Sequence, residues 1–473
     1  VERLSRSLFQ AVAQLQTGQK DSIGSGGMRL AMTRAGSTPR NMRGLLDNIT
    51  GVGRQKNLIR RQHQAKVGEH VGYSVITPDP SLDIEEMGLP ITACAELTLR
   101  EEVTEDNIEF LRMCVGNGKQ TPVHKGLKYK QYDSSRYPGA HGIIRKGGGR
   151  IDLEFKRVLP EFREEQRMLT VESLEVGDIV ERNIIRGDIV LFTRAPALHR
   201  QSMIAFRVVP IKDRSFSFNP SVCIPFNADY DGDAMRVFVP QSKEAIEEAK
   251  GLMLTPQQML HTRYGRTFIT FDQDEISGSY LLTFKSKGSE GIHPNQRNGW
   301  GFDNDGHPIL SKHRAMNLLS RAFIRESDGN ISYPLSLPSP IASGEFKGCY
   351  RGRDIVSMFI PEGINARFKA KDKTTDVVIE DGKVIEGVLD DQFFGTKSGV
   401  LASAFIYRFG WDEGNEQLAR MTNMLSRVVF AAHIEYGFSL GIADISFKDR
   451  PGFYEVLDEK FAETSAAIGE IER

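Results

Sequence analysis

The sequence predicts an α+β multidomain protein, and three observations carry that prediction. The chain has 473 residues, of which 40% are hydrophobic and 26% charged, so it is long enough for about two to four domains. Short apolar segments with closely spaced turns between residues 173 and 240 are typical of a β-barrel or sandwich. Apolar residues at helical spacing within the first 20 residues, and a long helical stretch from about Ser398 to Tyr436, predict helices at both ends.

Strands dominate the prediction between residues 67 and 240. Residues 67–98 are predicted to form short strands around a Pro-rich turn, and a helix is predicted near Thr104 to Met113. The run KGGG at residues 146–149 lacks the Lys-Ser/Thr of a phosphate-binding loop, so it predicts a hairpin turn or a flexible tip. The remaining β segments are Asp178–Val180, Asp188–Phe192, Ile204–Ile211 and Phe216–Phe226.

Helices and loops alternate after residue 241. Ser242 is predicted to cap a helix that has Glu244 in its first turn. The polar stretch Asn295–Pro308 predicts a loop, and a helix is predicted near His313 to Ile324. Asp381-Gly382 predicts the turn of a hairpin that spans Val377 to Ile385.

Composition argues against a membrane protein and against structural zinc. The sequence has no run of eighteen apolar residues and no signal-peptide pattern. Its four cysteines form no CxxC pair, and few scattered thiols favour a reducing cytoplasm. The first residue is Val rather than Met, so we expect a piece of a longer chain.

The first 66 residues are strongly basic, although the formal net charge of the chain is −1. They hold twelve Lys or Arg against three Asp or Glu. Such a segment can neutralise the phosphates of a nucleic acid, and a solvated basic surface would explain the same composition. The candidate nucleic-acid-binding residues are Arg54, Lys56, Arg60, Arg61 and Lys66.

Three aspartates at alternate positions form the clearest candidate site. Asp229, Asp231 and Asp233 lie in the run NADYDGD, residues 227–233. In an extended segment, side chains at alternate positions point the same way, so these carboxylates are predicted to converge. Carboxylates that lie so close repel one another unless a cation neutralises them, and hard oxygen ligands suit Mg²⁺.

A solvated acidic turn and a calcium-binding EF-hand loop are the simpler interpretations of this run. Counted from Asp229, the EF-hand positions that need Gly and Glu hold Ala234 and Pro240, so that interpretation fails. Apolar, strand-like runs on both sides, residues 222–226 and 237–240, argue against a plain turn. The acidic loop is therefore predicted to lie on a scaffold.

The residues around the acids resemble a known family. FNADYDGDAMRVFVPQ, residues 226–241, resembles the metal-binding signature of the largest subunit of multisubunit RNA polymerases, with Tyr230 and Phe238 where the family usually has Phe and His. RAPALHR, residues 194–200, resembles the family's R-x-P-x-L-H-R signature. The family's K-R-V-x-x-x-x-R-[ST]-V-I strand is matched without its two arginines. Segments typical of the archaeal and eukaryotic branch are residues 74–80, 263–266 and 276–278.

The resemblance, which runs from about residue 40 to about residue 447, implies a domain organisation. Its centre would be a six-stranded double-psi β-barrel catalytic core, flanked by helical clamp-base and pore or funnel segments. The family's bridge helix and trigger loop have no counterpart in the sequence. The implied ranges are a basic clamp-base or switch-like segment (1–66), the barrel with its metal loop (67–98 plus 165–241), a dock-like insertion (99–164), a pore-like helical region (242–345) and a funnel-like region (346–473).

The resemblance also implies an activity, template-directed transfer of nucleotides from ribonucleoside triphosphates to an RNA 3′ end. Asp229, Asp231 and Asp233 would be the catalytic residues and would hold one Mg²⁺ of a two-metal mechanism. Arg194 and Asn227 would bind the ribose hydroxyls of the substrate, and pairing with the nearby acids is the alternative role for Arg194. The implied partners are the second-largest and other polymerase subunits, the DNA template and the RNA product, with no membrane, in the cytoplasm or a nucleus.

Two other functions fit parts of the same sequence. A two-barrel RNA-dependent RNA polymerase also carries a D-x-D-G-D loop, although it typically lacks the R-x-P-x-L-H-R signature. A nucleic-acid-binding relic without catalysis would explain the missing bridge helix and trigger loop. The intact set of three acids favours the enzyme over the relic.

Overall fold

A computed structural model describes residues 68–119, 138–261, 263–286, 288–325, 331–332, 337–397, 399–439, 441 and 452–471. The chain divides into two units, residues 1–70 and 71–473, and the fold described below is that of the second unit. The first predicted helix lies outside the described residues, as do Arg54, Lys56, Arg60, Arg61 and Lys66. The α+β class is confirmed.

The described residues form eighteen strands. In chain order they are β1 (Val71–Pro78), β2 (Glu86–Pro90), β3 (Thr98–Glu102), β4 (Ala140–Ile144), β5 (Arg150–Asp152), β6 (Ile179–Asn183), β7 (Ile189–Thr193), β8 (Met203–Ile211), β9 (Phe216–Phe218), β10 (Ala234–Phe238), β11 (Trp300–Phe302), β12 (Pro308–Leu310), β13 (Ile324–Arg325), β14 (Ile331–Ser332), β15 (Tyr350–Arg351), β16 (Ala366–Lys369), β17 (Asp376–Glu380) and β18 (Lys383–Glu386).

Twelve α-helices accompany these strands in the described part of the chain. They are α1 (Ile91–Glu96), α2 (Ile108–Asn117), α3 (Arg163–Glu172), α4 (Cys223–Phe226), α5 (Lys243–Glu248), α6 (Gln273–Thr283), α7 (Lys312–Leu319), α8 (Gly352–Ser357), α9 (Asp391–Phe394), α10 (Leu401–Phe409), α11 (Trp411–Tyr436) and α12 (Phe453–Ile471). No helix in the ranges given above is long and apolar enough to cross a membrane.

Six strands close into a barrel in the order β1-β10-β7-β8-β2-β9. Four of the neighbouring pairs are antiparallel, whereas β1 with β9 and β2 with β8 are parallel. Phe192 lies inside, with its ring centre 5.5–6.0 Å from those of four other buried phenylalanines. Edge-to-face packing of this kind adds to the free energy that burial itself supplies. The partners of Phe192 are Phe206, Phe216, Phe218 and Phe226.

Between β2 and β7 the chain builds a separate four-stranded sheet in the order β3-β6-β4-β5. Strand β6, which the sequence placed among the barrel segments, pairs here instead, because its edges are taken by β3 and β4. Helix α2 packs on this sheet over its own apolar cluster, which includes Val103, Leu111 and Ile143. The KGGG run forms the predicted hairpin turn, in which Gly148 N donates to Arg145 O.

Two predictions after residue 241 hold and one was wrong. Ser242 caps α5 by accepting a hydrogen bond from Ala245 N, and Asp381-Gly382 turns between β17 and β18 with both φ angles positive. The polar stretch 295–308 is not simply a loop, because β11 and the start of β12 lie in it. The buried rings of Trp300 and Phe302 on β11 explain this pairing.

The long helical stretch near the end of the chain is divided in two. Gly410, with φ +83°, separates α10 from α11, because a residue without Cβ adopts that conformation at little cost. Helix α11 packs closely against α6, where a Cβ added at Gly278 would lie 1.9 Å from the carbonyl oxygen of Val429. At Gly278 the two helices therefore approach too closely to leave room for a Cβ.

Candidate metal centre

The loop with the three acids, residues 227–233, connects α4 to β10. The apolar run before it was predicted to be a strand, and that prediction was wrong for residues 220–226. Asn219 accepts a hydrogen bond from Ser221 N, and Pro220 occupies the first position of a short helical turn that continues into α4. The buried Phe226 ring fixes the end of α4 to the barrel core.

The loop is bent rather than extended. Asn227 ends α4 in the left-handed conformation, and Gly232 has φ +124°. Asp229 N donates a hydrogen bond to Asp233 Oδ2 at 3.2 Å, which curls the segment between them. The carboxylates therefore meet through a turn and not, as the sequence argument assumed, through strand alternation.

The three carboxylates do lie together. Asp229, Asp231 and Asp233 each offer one oxygen, and these oxygens lie within 4.8 Å of one another. Asp229 and Asp231 are exposed, and Asp233 is half-buried. The pKa of Asp229 is raised, first because it shares a hydrogen bond with Asp231 and then through slight desolvation and the neighbouring negative charges. A concentration of negative charge of this kind attracts a cation.

Arg194 supplies a positive charge at this site. Its Nε lies 2.7 Å from Asp233 Oδ2, and its Nη2 donates to Asp233 Oδ1 at 3.1 Å. These contacts lower the pKa of Asp233, the hydrogen bond from Arg194 being the largest cause. Arg194 follows β7 and Asp233 precedes β10, and these strands pair through Thr193 and Arg236. Arg194 thus pairs with one of the acids in this structure, and its binding of a ribose hydroxyl stays a prediction.

Asn227, the second predicted substrate-binding residue, begins the loop. It is exposed, and in the described part of the chain its side chain takes part in no hydrogen bond. Its backbone N donates to Ile224 O at 3.0 Å. The amide group is thus held at the edge of the site with its hydrogen-bonding capacity open to a ligand.

Sequence reasoning missed a polar cluster beneath the loop. Cys223 Sγ donates to Tyr230 Oη at 3.1 Å, and the Tyr230 ring packs on Phe218 with ring centres 6.0 Å apart. Glu275 on α6 is fully buried and accepts a hydrogen bond from Ser221 Oγ at 2.7 Å. Burial raises the pKa of Glu275 to about 8. The one signal in the sequence was Tyr230 itself, at a position where Phe is usual.

Comparisons with known proteins agree with the motifs. Residues 66–255 match the family described as RNA polymerase Rpb1, domain 2, and residues 258–445 match RNA polymerase Rpb1, domain 3. The chain is 31% identical over 394 residues to the DNA-directed RNA polymerase subunit Rpo1N of Methanococcus vannielii, a match that covers 80% of this chain and 38% of the relative. It is 34% identical over 391 residues to the Rpo1N subunit of Thermococcus celer, covering 80% of this chain and 39% of the relative.

A eukaryotic protein is similar as well. The RPC1 subunit of DNA-directed RNA polymerase III from Bos taurus is 29% identical over 420 residues, which are 85% of this chain and 26% of the relative. The chain thus spans about two fifths of the length of the archaeal relatives that it matches.

Proposed function

The chain belongs to the family of RNA polymerase largest subunits, with Rpb1 domains 2 and 3 covering most of its length, and on that premise we propose that it forms part of the catalytic core of a DNA-directed RNA polymerase. The observation that carries this proposal is the convergence of Asp229, Asp231 and Asp233 on one loop of a closed barrel. The reaction would be template-directed transfer of a ribonucleotide to the 3′ end of RNA. The names of the relatives favour a DNA-directed enzyme over an RNA-dependent one.

We propose that the barrel is of the double-psi type. Two parallel pairs within an otherwise antiparallel closed barrel support this topology. We also propose the domain ranges that the family resemblance implies, with one change. The dock-like insertion would include the whole four-stranded sheet between β2 and β7, and thus β6 as well. The clamp-base segment (1–66) would contact nucleic acid through its five candidate residues, and residues 242–345 and 346–473 would form the pore-like and funnel-like regions.

The donor set fits Mg²⁺. Three carboxylates are hard oxygen ligands of the kind that Mg²⁺ prefers. Their oxygens, which lie within 4.8 Å of one another, would together hold one ion. A bound Mg²⁺ would lower the pKa of the attacking 3′-hydroxyl and neutralise charge on the phosphate. A second ion would be shared with the triphosphate and a partner subunit.

The other residues of the site would orient the substrate and the acids. Arg194 fixes the direction of the Asp233 carboxylate, and its remaining N–H groups can donate to a ribose hydroxyl. The Asn227 amide can both donate to and accept from the 2′-hydroxyl, the group that separates ribonucleotides from deoxyribonucleotides. The two side chains together would select the sugar while the acids hold the metal.

The proposal is tested in an enzyme reconstituted with the second-largest subunit and the remaining polymerase subunits. Asp231→Ala should abolish template-dependent RNA synthesis, and Asp229→Ala should abolish Mn²⁺ binding. Losing a metal ligand should cost at least as much as losing one hydrogen-bond donor from a preorganised catalytic site, which is roughly 2.7–4 kcal/mol. Asp305→Ala, which removes an exposed acid elsewhere, is the matched control.

Normal RNA synthesis by the assembled Asp231→Ala enzyme would refute the proposal. Synthesis on RNA templates alone would favour the RNA-dependent alternative, and an inactive wild type that binds nucleic acid would favour the relic.

A further inference from the structure

Tyr230 is the largest side chain of the metal loop, residues 227–233, and it lies between two of the three acids in the sequence. Asp229 and Asp231 are exposed, whereas Tyr230 is half-buried and packs against the hydrophobic core. The centre of its ring lies 6.0 Å from that of Phe218, a fully buried residue of the barrel. Because Tyr230 is bonded to both acids through the backbone, the place of its side chain influences the positions of both carboxylates.

The hydroxyl group of Tyr230 connects the metal loop to helix α4. Cys223, the first residue of α4, donates a hydrogen bond from Sγ to Tyr230 Oη at 3.1 Å. Burial raises the pKa of the Cys223 thiol to about 12, so the thiol keeps the proton that it donates. The carbonyl oxygen of Cys223 also accepts from Ala228 N at 3.2 Å. Cys223 thus holds the metal loop by two hydrogen bonds, one near its start and one at its middle.

The turn that leads into Cys223 is itself fixed to helix α6. Ser221 donates from Oγ to Glu275 Oε1 at 2.7 Å, and Thr270 N donates to Ser221 O at 3.3 Å. The other oxygen of Glu275 accepts from Asp272 N at 3.2 Å. Ser221 and Glu275 are both buried, so water does not compete for their hydrogen bond. A connected set of buried contacts therefore runs from α6 through this turn to the middle of the metal loop.

We propose that Tyr230 is a positioning residue of the metal site, whose hydroxyl, held by Cys223, fixes the relative positions of the Asp229 and Asp231 carboxylates. Neither Tyr230 nor Cys223 would contact the ion. Ring packing alone is non-directional, whereas a hydrogen bond also fixes an orientation, and groups behind metal ligands set metal affinity in this way. The hydroxyl is what this chain has beyond the Phe that is usual at this position. The inference rests on the proposed function, because it concerns the same metal site.

The test measures the Mn²⁺ affinity of the reconstituted enzyme from the electron paramagnetic resonance signal of the free ion, with the Asp229→Ala enzyme as the baseline. Tyr230→Phe, which keeps the ring, should weaken Mn²⁺ binding about 2- to 12-fold, the range that one hydrogen bond supplies. Cys223→Ala should weaken it similarly, and Cys223→Ser, which keeps a donor, should bind Mn²⁺ more tightly than Cys223→Ala. The double variant Tyr230→Phe/Cys223→Ala should be no weaker than the weaker single variant, because both substitutions remove the same hydrogen bond.

Two further measurements separate positioning from a structural role. At saturating Mn²⁺ the KM for the ribonucleotide should be unchanged in Tyr230→Phe, whereas the rate at limiting Mn²⁺ should fall by the factor lost in Mn²⁺ affinity. Urea unfolding of each variant shows whether stability changes instead. Tyr407→Phe and Cys114→Ala are the matched controls and should bind Mn²⁺ like wild type, since Tyr407 is 95% exposed and Cys114 is buried in the separate cluster under α2.

Three results would overturn the inference. They are wild-type Mn²⁺ affinity in Tyr230→Phe, losses that simply add in the double variant, and equal Mn²⁺ affinities of Cys223→Ser and Cys223→Ala. Lower stability of Tyr230→Phe with unchanged Mn²⁺ affinity belongs to the first of these. Failure of the proposed function is a different observation, because it shows as normal RNA synthesis by the assembled Asp231→Ala enzyme.

Discussion

Arg194 and Asp233, 39 residues apart in the sequence, form a two-point ion pair between the ends of neighbouring barrel strands. The Arg194 guanidinium is therefore paired with one of the three carboxylates that are proposed to hold a metal. Arg194 follows β7 and Asp233 precedes β10, so the pairing of these two strands sets the geometry of the ion pair. The pair links the proposed substrate-binding residue directly to the proposed metal site.

Arg194→Ala should separate metal binding from substrate binding. Asp233 loses a competing cation, so Mn²⁺ affinity of the assembled enzyme should stay the same or rise. The KM for the ribonucleotide should rise by at least about tenfold, since hydrogen bonds from a charged group typically contribute roughly 1.5–3 kcal/mol. Mn²⁺ titration and steady-state kinetics check the two effects. A tenfold weaker Mn²⁺ affinity would mean that Arg194 is needed to place Asp233.

Gly232→Ala should weaken the metal site without unfolding the protein. A Cβ at this position would meet no atom within 4 Å, so the cost arises from the backbone, which has φ +124°. Such conformations cost other residues roughly 1–3 kcal/mol, and the loop would shift to avoid them. Mn²⁺ affinity should fall roughly 5- to 150-fold, with little change in the free energy of unfolding. Gly251→Ala, where a Cβ also has open space and φ is not positive, is the control.

Gly278→Ala should destabilise the fold strongly. Alanine favours helices by up to about 1 kcal/mol over glycine, but its Cβ would lie 1.9 Å from Val429 O. Helices α6 and α11 would have to separate. Overpacking of this kind typically costs about 1–3 kcal/mol or more, and we expect the free energy of unfolding to fall by at least that amount. Urea unfolding measures this. Gly116→Ala in α2, where the nearest atom is 3.7 Å away, should be neutral or slightly stabilising. Equal effects of the two substitutions would contradict the packing argument.

Glu275→Gln should change how stability depends on pH. Burial raises the folded-state pKa of Glu275 to about 8, from its ordinary value of 4.5. The folded chain then holds a proton that the unfolded chain releases, so this carboxyl lowers stability progressively as the pH rises between these values. Unfolding free energies of wild type and Glu275→Gln should be similar near pH 4 and should diverge by roughly 1 kcal/mol per pH unit as the pH rises towards 8, with the variant more stable. Parallel pH profiles would show that Glu275 ionises normally.

The sequence predicted those features that depend on local pattern. Continuous apolar runs identified β7 and β8, and Asp381-Gly382 identified a hairpin turn because only a few residue pairs adopt two positive φ angles. The three acids were found from their spacing. The motifs also identified the family, which the comparisons confirm.

Features decided by distant partners could not be predicted in the same way. The pairing of β6 depends on β3, about 80 residues earlier, and nothing within β6 distinguishes that sheet from the barrel. The helical turn before the acids depends on the Asn219 side chain and on burial of Phe226 rather than on apolar periodicity. The burial of Glu275 could not be predicted because the hydrogen bond that it accepts from Ser221 Oγ joins two elements 54 residues apart.

The order of the strands in the barrel has a consequence for biosynthesis. Both neighbours of β1, the strands β9 and β10, follow it by about 140 residues or more. At roughly 5–20 residues per second, a ribosome needs about 7–28 s to supply the first of them. During that time β1 has open edges that invite wrong pairing. The acidic loop takes shape only when β10 arrives, so an interrupted nascent chain would lack the three-acid cluster altogether.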